Sequence, residues 1–235
     1  MSAIREADLK IDSLLEVGAG FGYFLDRVAD VHVARGKIHA TEYGAPAIQE
    51  LRRKGYNVHA GDVSEVRPDQ PFDVVCMFQV LEHMDRLDET GQALRRLVRP
   101  GGSVLIAVPN PARIAFNEAN GSLLDMPPNH IGRWSRRAFE IFAADHGFRL
   151  VEHDVEPQER LGFVKADIGY AYLRRSQMPG TLAHWSRQQR DKPLGKAIGV
   201  AAAVAGGPSR LPVWAKAMTR HDLGGSAFAR LERLS

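Results

Sequence analysis

The sequence predicts an α/β fold with a doubly wound parallel sheet, and three observations support this prediction. Apolar runs alternate with amphipathic runs through residue 110, and the connections between them are short. The run over residues 72–78 is apolar almost throughout, as expected for a parallel strand covered on both faces. The first apolar run ends in a turn containing Gly18, Gly20 and Gly22, and a new amphipathic run follows directly. Such a strand, turn and helix let the backbone approach a bound ligand closely.

The first half of the chain is predicted to contain five strands and three helices. The strands are expected at residues 12–17, 36–42, 56–60, 72–78 and 103–108. The helices are expected at residues 23–31, 46–54 and 87–98, after a partial helix over residues 1–11. One apolar stripe of the first of these three helices consists of Phe24, Leu25, Val28 and Val31.

The second half is predicted to complete the sheet around a helical insertion. Residues 112–129 read as irregular, and Ser135 is placed to cap a helix over 136–146. Strand six is expected at 148–155, and the alternation over 224–232 suits a seventh strand at the edge, next to strand six. The expected division is therefore a Rossmann-like core at 1–156, a helical lid or insertion at 157–223 and a final edge strand at 224–235.

Composition describes an ordinary globular protein. The 235 residues carry a net charge of only +3 and include a single cysteine, Cys76, which excludes an internal disulfide framework. The first ten residues are charged and lack the apolar core of a signal peptide. No run approaches the roughly 20 apolar residues that span a bilayer. The expectation is a cytoplasmic protein.

Polar residues follow the first three predicted strands, where open parallel sheets bind their ligands. The glycine turn does not match a dinucleotide fingerprint, because Tyr23 stands where a third glycine is required. Glu42 ends strand two, where a carboxylate either binds vicinal ribose hydroxyls or is simply solvated. Asp62 follows strand three, and it either accepts a hydrogen bond from an adenine amine or closes an Asx-type turn.

Five segments match one family in order and register over residues 12–156. They are residues 16–22, Glu42, Gly61-Asp62, the strand 72–75 leading into Val80-Leu81-Glu82-His83, and residues 97–102. Together they resemble the class I S-adenosylmethionine (SAM) methyltransferases, in the small-molecule branch that includes the ubiquinone-biosynthesis enzymes. The resemblance implies the seven-stranded Rossmann-like sheet of that family and a SAM cofactor, with S-adenosylhomocysteine as product.

The resemblance also implies a cofactor site. It places the glycine turn near the methionine part of SAM, Glu42 at the ribose, Asp62 near the adenine and Gln79 close to the sulfonium. The expected cofactor-binding residues are Glu16, Gly18, Ala19, Gly20, Gly22, Glu42, Tyr43, Asp62, Val63 and Gln79.

Two histidines are candidates for a general base, which methyl transfer needs when the acceptor is a hydroxyl. His130 lies in a loop beside Pro127-Pro128 that can cover an acceptor site, and His83 follows strand four. His130 is the preferred base. The alternative for each histidine is a purely structural role, as a polar contact within its loop. His146, at the end of a predicted helix, suits the helix dipole instead. No His, Cys and acid cluster shows metal-ligand spacing, so no metal is predicted.

The predicted reaction is methyl transfer to a small molecule, more readily to a hydroxyl than to an amine. The acceptor classes considered are a sugar, a glycan precursor and a secondary metabolite. Nucleic acid is not expected, because the segment after strand four, Gln79-Val80-Leu81-Glu82, lacks the Asp/Asn-Pro-Pro-aromatic motif of base-methylating enzymes. The alternatives are an N-methyltransferase of an amino sugar or other amine, a degenerate SAM-fold binding protein and an NAD(P)-linked oxidoreductase.

The segment 176–221 is strongly basic. It contains seven Lys and Arg residues and one Asp, a net charge of +6, beside an apolar run at 194–206. The simpler interpretation is a helical cap with a solvated basic face. The alternatives are a lid for an anionic or lipid-linked acceptor and a surface that contacts an anionic membrane through residues 185–216. An oligomer is also compatible with the sequence.

Overall fold

The chain forms one seven-stranded mixed sheet flanked by helices, in a computed structural model that describes residues 11–235. The partial helix expected over residues 1–11 lies, apart from Ile11, outside the described residues. The strands are β1 Leu14–Val17, β2 Ile38–Glu42, β3 Asn57–Ala60, β4 Phe72–Phe78, β5 Val98–Pro109, β6 Phe148–Val155 and β7 Ser226–Arg233. Their order across the sheet is β3-β2-β1-β4-β5-β7-β6. The α/β, doubly wound architecture predicted from the sequence is confirmed.

The helices lie between these strands and in the segments that follow β5 and β6. They are α1 Leu25–Val28, α2 Ala45–Arg53, α3 Leu87–Leu97, α4 Pro111–Ala119, α5 Arg136–Asp145, α6 Arg160–Ser176, α7 Leu182–Gln188, α8 Pro193–Ala205 and α9 Leu211–Met218. Ser135 caps α5 as expected, since its Oγ accepts the N–H of Ala138 at 3.2 Å. Among residues 11–235, no helix is both long and apolar enough to cross a membrane.

Strands β1 to β5 run parallel, so their carboxyl ends share one edge of the sheet. All four residues of β1 are buried, as the central position of this strand requires. The register pairs Val17 with Thr41 on one side and with Met77 on the other. The turns that leave β1, β2 and β4 therefore begin side by side.

Two elements differ from the sequence prediction for identifiable reasons. The helix expected over 23–31 is only one turn long, because Ala29 is extended and Asp30, with a positive φ of 62°, then turns the chain. Val31, assigned to the apolar stripe, is instead exposed. Strand β5 begins at Val98 rather than 103, because residues 99–102 form an irregularity opposite Asp73 within the strand.

Strand β7 is not the edge strand that the sequence predicted over residues 224–235. It lies between β5 and β6 and pairs antiparallel with β5, with Ala229 opposite Ile106. Ala227, Ala229 and Leu231 are fully buried, so the alternation marks one covered face of the strand. Both inner and edge strands can show this pattern, and the strand order places β7 inside the sheet.

The chain divides into two compact units. Among the described residues, the sheet unit comprises residues 11–111 together with Met126–Asp154 and Ser226–Ser235. The helical unit comprises Ala112–Asp125 and Val155–Gly225. Residues 112–125, expected to be an irregular part of the core, contribute helix α4 to the helical unit. The helical unit has its own apolar cluster of Phe116, Phe163, Ala217 and Leu223.

Candidate active site

The turn between β1 and α1 is built from three glycines with positive φ, at 69°, 53° and 76° for Gly18, Gly20 and Gly22. A Cβ at Gly18 would lie 2.7 Å from Val80, and one at Gly22 would lie 2.7 Å from Leu51, so both glycines allow close packing. At Gly20, by contrast, a Cβ would meet nothing within 4 Å. The backbone at Gly20 therefore faces open space while holding a conformation that favours glycine.

Glu42, at the end of β2, binds the glycine turn through its carboxylate. Its Oε2 accepts the N–H of Gly20 at 2.8 Å, and its Oε1 accepts those of Tyr43 and Gly44 at 2.8 and 2.9 Å. Partial burial alone would raise the pKa of Glu42, but these backbone hydrogen bonds outweigh it and hold the pKa below its usual value. Glu42 is thus a carboxylate at neutral pH. Of about four acceptor positions on a carboxylate, three are used here.

Asp62, after β3, is held by two donors. Its Oδ1 accepts the N–H of Ser64 at 2.7 Å and begins the short helical turn Val63–Glu65, as the Asx-turn alternative expected. Its Oδ2 accepts the Tyr43 hydroxyl at 2.9 Å. Partial burial followed by the neighbouring Asp62 raises the pKa of Tyr43 to about 12, so Tyr43 remains a donor. Ser64 and Tyr43 do not use all of the roughly four acceptor positions of the Asp62 carboxylate.

Glu16 is a buried acid in the middle of the sheet. It lies in β1 opposite Ala40 and Cys76. Its Oε2 has no hydrogen-bond partner within residues 11–235. Burial raises its pKa to about 8, so the side chain is largely protonated at neutral pH. A buried carboxyl that lacks a partner just before the glycine turn is the sort of group that a bound polar ligand satisfies.

Gln79 leaves β4 with a positive φ of 58°, which is uncommon for a residue other than glycine. Its N–H donates to the carbonyl oxygen of Ala107 at 2.8 Å, and its side chain is exposed. Backbone strain of this kind is found at functional sites, where the surrounding structure maintains it. Gln79 is the residue that the sequence placed nearest the reacting centre.

Glu82, His83 and His130 form a compact cluster after β4. The loop that carries His130 is held against the turn after β4, because Ile131 and Gly132 donate their N–H groups to the carbonyl oxygen of Glu82, at 3.0 and 2.9 Å. The rings of His83 and His130 lie 4.9 Å apart in an edge-to-face arrangement. His83 Nδ1 lies 2.6 Å from the carbonyl oxygen of Asn129. A carbonyl only accepts, so Nδ1 carries a proton, and in the neutral ring Nε2 is then the nitrogen with a lone pair.

The Glu82 side chain is only 1% exposed, and neither carboxyl oxygen has a hydrogen-bond partner within residues 11–235. Burial raises the pKa of Glu82, although the two nearby histidines oppose this. Its Oε1 lies 3.9 Å from His83 Nε2. One atom from each of the three residues lies within 4.8 Å of the others, so this cluster has the donor set of a divalent-cation site. The spacing argument against a metal missed it because His130 is brought in from a distant part of the chain.

A cavity of about 360 Å³ opens at the carboxyl ends of β1 to β4, within the size range of small-molecule sites. Of the residues predicted for the site, those that line it are Gly18, Tyr43, Asp62, Val63 and His83. The lining residues that were not predicted to bind the cofactor or to act as a base are Val17, Thr41, Gly61, Val80, Met84, Asp85, Arg86, Glu89 and Thr90. Val17, Thr41, Gly61 and Val80 lie at or just beyond the ends of β1 to β4, where the strand-end rule alone points. The others lie on the turn and helix after β4, which no spacing signal marks.

The remaining predicted residues do not line this cavity. They are Glu16, Ala19, Gly20, Gly22, Glu42, Gln79 and His130. His146 is buried away from it: its Nδ1 lies 2.8 Å from the Phe142 carbonyl and its Nε2 lies 3.2 Å from Asp88. The close approach of His146 to α3 is possible because residue 91 is glycine.

Comparison with known proteins identifies the region that carries the site. A family model described as "Methyltransferase domain" matches residues 3–153. A Mycolicibacterium smegmatis protein named as an S-adenosylmethionine-dependent methyltransferase is 33% identical over 115 residues, which cover 48% of this chain. The ubiquinone biosynthesis O-methyltransferase of Pseudomonas syringae pv. tomato is 26% identical over 161 residues, which cover 57% of this chain. The matches span 43% and 66% of these two relatives, so the chain corresponds to part of each.

Solved structures agree on the fold. A SAM-dependent methyltransferase from Archaeoglobus fulgidus superposes with a TM-score of 0.61 at 16% sequence identity, covering 99% of this chain and 92% of the other. At that identity the likeness concerns the fold alone. The family match and the curated relatives confirm the resemblance indicated by the strand-end motifs.

Proposed function

The chain belongs to the methyltransferase-domain family, its cofactor is SAM, and we propose that it methylates a hydroxyl group of a small molecule. The observation that carries the hydroxyl proposal is the position of His83 and the hydrogen bond of its Nδ1. This histidine lines the cavity and donates its Nδ1 proton to the Asn129 carbonyl, so its Nε2 is free to take a proton. A base in that position has a use when the acceptor is a hydroxyl. The O-methyltransferases among the curated relatives support the same class of acceptor.

The residues around the cavity fit the cofactor. Gly20 presents its backbone to open space, and Glu16 holds a buried carboxyl oxygen without a partner in the described chain. Glu42 and Asp62 carry acceptor positions beyond those used by the protein, which suits ribose hydroxyls and an adenine amine respectively. Gln79 is assigned to the neighbourhood of the sulfonium. When bound, SAM supplies a methyl group that its positive sulfur has already activated.

The remaining work of the protein is positioning and proton transfer. In the proposed reaction His83 Nε2 would take the proton of the acceptor hydroxyl. The Asn129 carbonyl keeps the ring oriented and in the correct tautomer. The buried Glu82 carboxyl, 3.9 Å from Nε2, favours the imidazolium that forms. His130, the base preferred from sequence, packs on the His83 ring and does not line the cavity, so we assign it a supporting role.

His83→Asn tests the base most directly, because the Asn amide can still donate to the Asn129 carbonyl while Nε2 is lost. Turnover, followed as S-adenosylhomocysteine release with a panel of monosaccharides, catechols and ethanolamines, should fall by roughly 10²–10⁴-fold. SAM affinity, measured by calorimetry, should stay within about twofold of the parent protein. His130→Asn is the matched variant, and we expect it to lose less turnover than His83→Asn.

Four outcomes would contradict the proposal. Loss of turnover in His130→Asn but not in His83→Asn would move the base to His130. Activity only on the amines would replace O-methylation by N-methylation. Activity that disappears with a chelator and returns with a divalent cation would make His83 a metal ligand. Binding of NAD without SAM would overturn the cofactor itself.

A further inference from the structure

Helix α8 of the helical unit turns its aliphatic side chains outward. Leu194, Val200 and Val204 are 64%, 66% and 63% exposed, and they recur at helical spacing along one face. The exposed face also includes three alanines, Ala197, Ala201 and Ala205. Lys196, at the edge of this face, is the only charged residue in the helix. A helix of a globular protein normally does the reverse, with its larger apolar side chains turned inward.

The residues on the inward face of α8 fix the rotation of this helix about its axis. A Cβ at Gly195 would lie 2.0 Å from the carbonyl oxygen of Gln189, and one at Gly199 would lie 3.1 Å from the Tyr172 hydroxyl. These two glycines, four residues apart, let α8 pack closely against its neighbours. The face that bears Leu194, Val200 and Val204 is therefore directed outward by the packing.

We propose that this outward face of α8 rests on the surface of an anionic lipid bilayer. With 13 residues, α8 is shorter than the roughly 20 needed to span a bilayer, so the helix would lie in the interface. Leu211 and Trp185, 58% and 40% exposed, add apolar surface on the two neighbouring helices. An indole ring is well suited to the headgroup region.

The charges around α8 select an anionic surface. Arg187, Arg190, Lys192 and Lys196 are exposed, and none of the ion pairs found within residues 11–235 includes them. Arg187 and Arg190 also line an open depression of about 460 Å³, together with Ser176 and His184. Such a depression can receive a phosphate headgroup. Each Lys or Arg near an anionic leaflet contributes about 1 kcal/mol to binding.

The same charges argue against a second copy of this chain as the occupant. A symmetric contact through α8 would bring the four cations of one copy close to those of the other. Segment 176–221 has a net charge of +6, whereas the whole chain has only +3. Like charges at an interface are repulsive, while an anionic bilayer complements them. This inference concerns the helical unit and does not rest on the methyl-transfer proposal.

Vesicle flotation of the full chain tests the inference. The protein should float with vesicles that mix phosphatidylcholine and phosphatidylglycerol, and much less with phosphatidylcholine alone. The double variant Val200→Gln/Val204→Gln should weaken binding by at least about tenfold. Glutamine is a better helix former than valine, so this change does not disfavour the helix. In the triple variant Arg187→Gln/Arg190→Gln/Lys192→Gln, vesicle affinity should fall about a hundredfold, and binding should lose most of its salt dependence.

Matched controls lie on the sheet unit. Val31→Gln changes a valine that is 70% exposed, and Arg52→Gln removes an exposed cation; both should bind vesicles like the parent protein. SAM affinity and circular dichroism should be the same in every variant. Equal binding by the parent and the Val200→Gln/Val204→Gln variant would overturn the inference. So would a dimer in light scattering that the same variant dissociates, combined with no flotation of the parent.

Discussion

At the scale of single residues, the site depends on acids whose surroundings set their charge in opposite directions. Three backbone N–H groups keep Glu42 ionised, whereas burial without a partner for Oε2 keeps Glu16 largely protonated. Both are glutamates at strand ends in the sequence, and the difference arises only from their neighbours. Glu16 therefore offers a direct test of the site's electrostatics.

Glu16→Gln should change how stability depends on pH. The pKa of Glu16 is about 8 in the folded chain against 4.5 in the unfolded chain. Between these values the unfolded state releases the proton first, so the parent protein loses stability as pH rises, by roughly 5 kcal/mol in all. The variant lacks this loss and should be the more stable protein above pH 8, as measured by urea unfolding in the absence of SAM.

The control for this experiment is Glu65→Gln, which alters an exposed acid. It should show the pH dependence of the parent protein. A constant difference between Glu16→Gln and the parent at every pH would reject the assignment of a buried, protonated Glu16.

At the scale of elements, Asp73 joins three strands at the edge of the sheet opposite the cavity. Its Oδ2 accepts the N–H groups of Asp12 and Ser13, at 2.9 and 2.8 Å, just before β1. Its Oδ1 accepts Arg99 Nε, at 2.5 Å, from the irregular start of β5. A carboxylate in β4 thereby sets the positions of β1 and β5 and, through them, of the glycine turn.

Asp73→Asn should destabilise the fold by about 2 kcal/mol at neutral pH, because the amide replaces an acceptor that several donors share. Burial tends to raise the pKa of Asp73, but hydrogen bonds from Arg99, Ser13 and Asp12 outweigh it and hold the pKa below its usual value. The stability from this carboxylate is therefore present at neutral pH and lost as pH falls through the folded-state pKa. Denaturant unfolding of the variant should show a weaker acid dependence than the parent; Asp69→Asn, at an exposed acid, should match the parent.

At the scale of the whole molecule, the chain consists of two compact units that are held together internally by different means. The sheet unit has a large apolar core around β1, β4 and β5. The helical unit has a small apolar cluster and a buried polar network. In that network Asp167 binds Arg210 through both oxygens, at 2.6 and 2.9 Å, and accepts the Trp214 indole N–H at 2.8 Å.

Asp167→Ala should reduce hydrogen-exchange protection in α6 to α9 while β1, β4 and β5 keep theirs. Removing the carboxylate leaves Arg210 as a largely buried, unpaired cation, which costs about 3–5 kcal/mol. Trp214→Phe removes only one hydrogen bond and should cost about 1 kcal/mol. Equal loss of protection in both units would contradict separate stabilisation of the two units.

The sequence was sufficient where local patterns decide the structure. Strands β4 and β6 occupy the residues that their apolar and alternating runs predict, and Ser135 caps α5 as its position before an amphipathic run suggests. The positive φ values of Gly18, Gly20 and Gly22 follow from the same local chemistry. The family resemblance also needed only residues that lie close to strand ends.

Tertiary structure alone decided the features that join distant parts of the chain. The position of β7 between β5 and β6 depends on pairing with distant parts of the chain, since Val104 of β5 lies more than 100 residues before its partner Leu231. His83 became the candidate base because Asn129, far along the chain, binds its Nδ1. The outward face of α8 depends on two glycines that pack inward. Sequence periodicity says which residues share a face, but only packing decides which face is covered and which side chains meet.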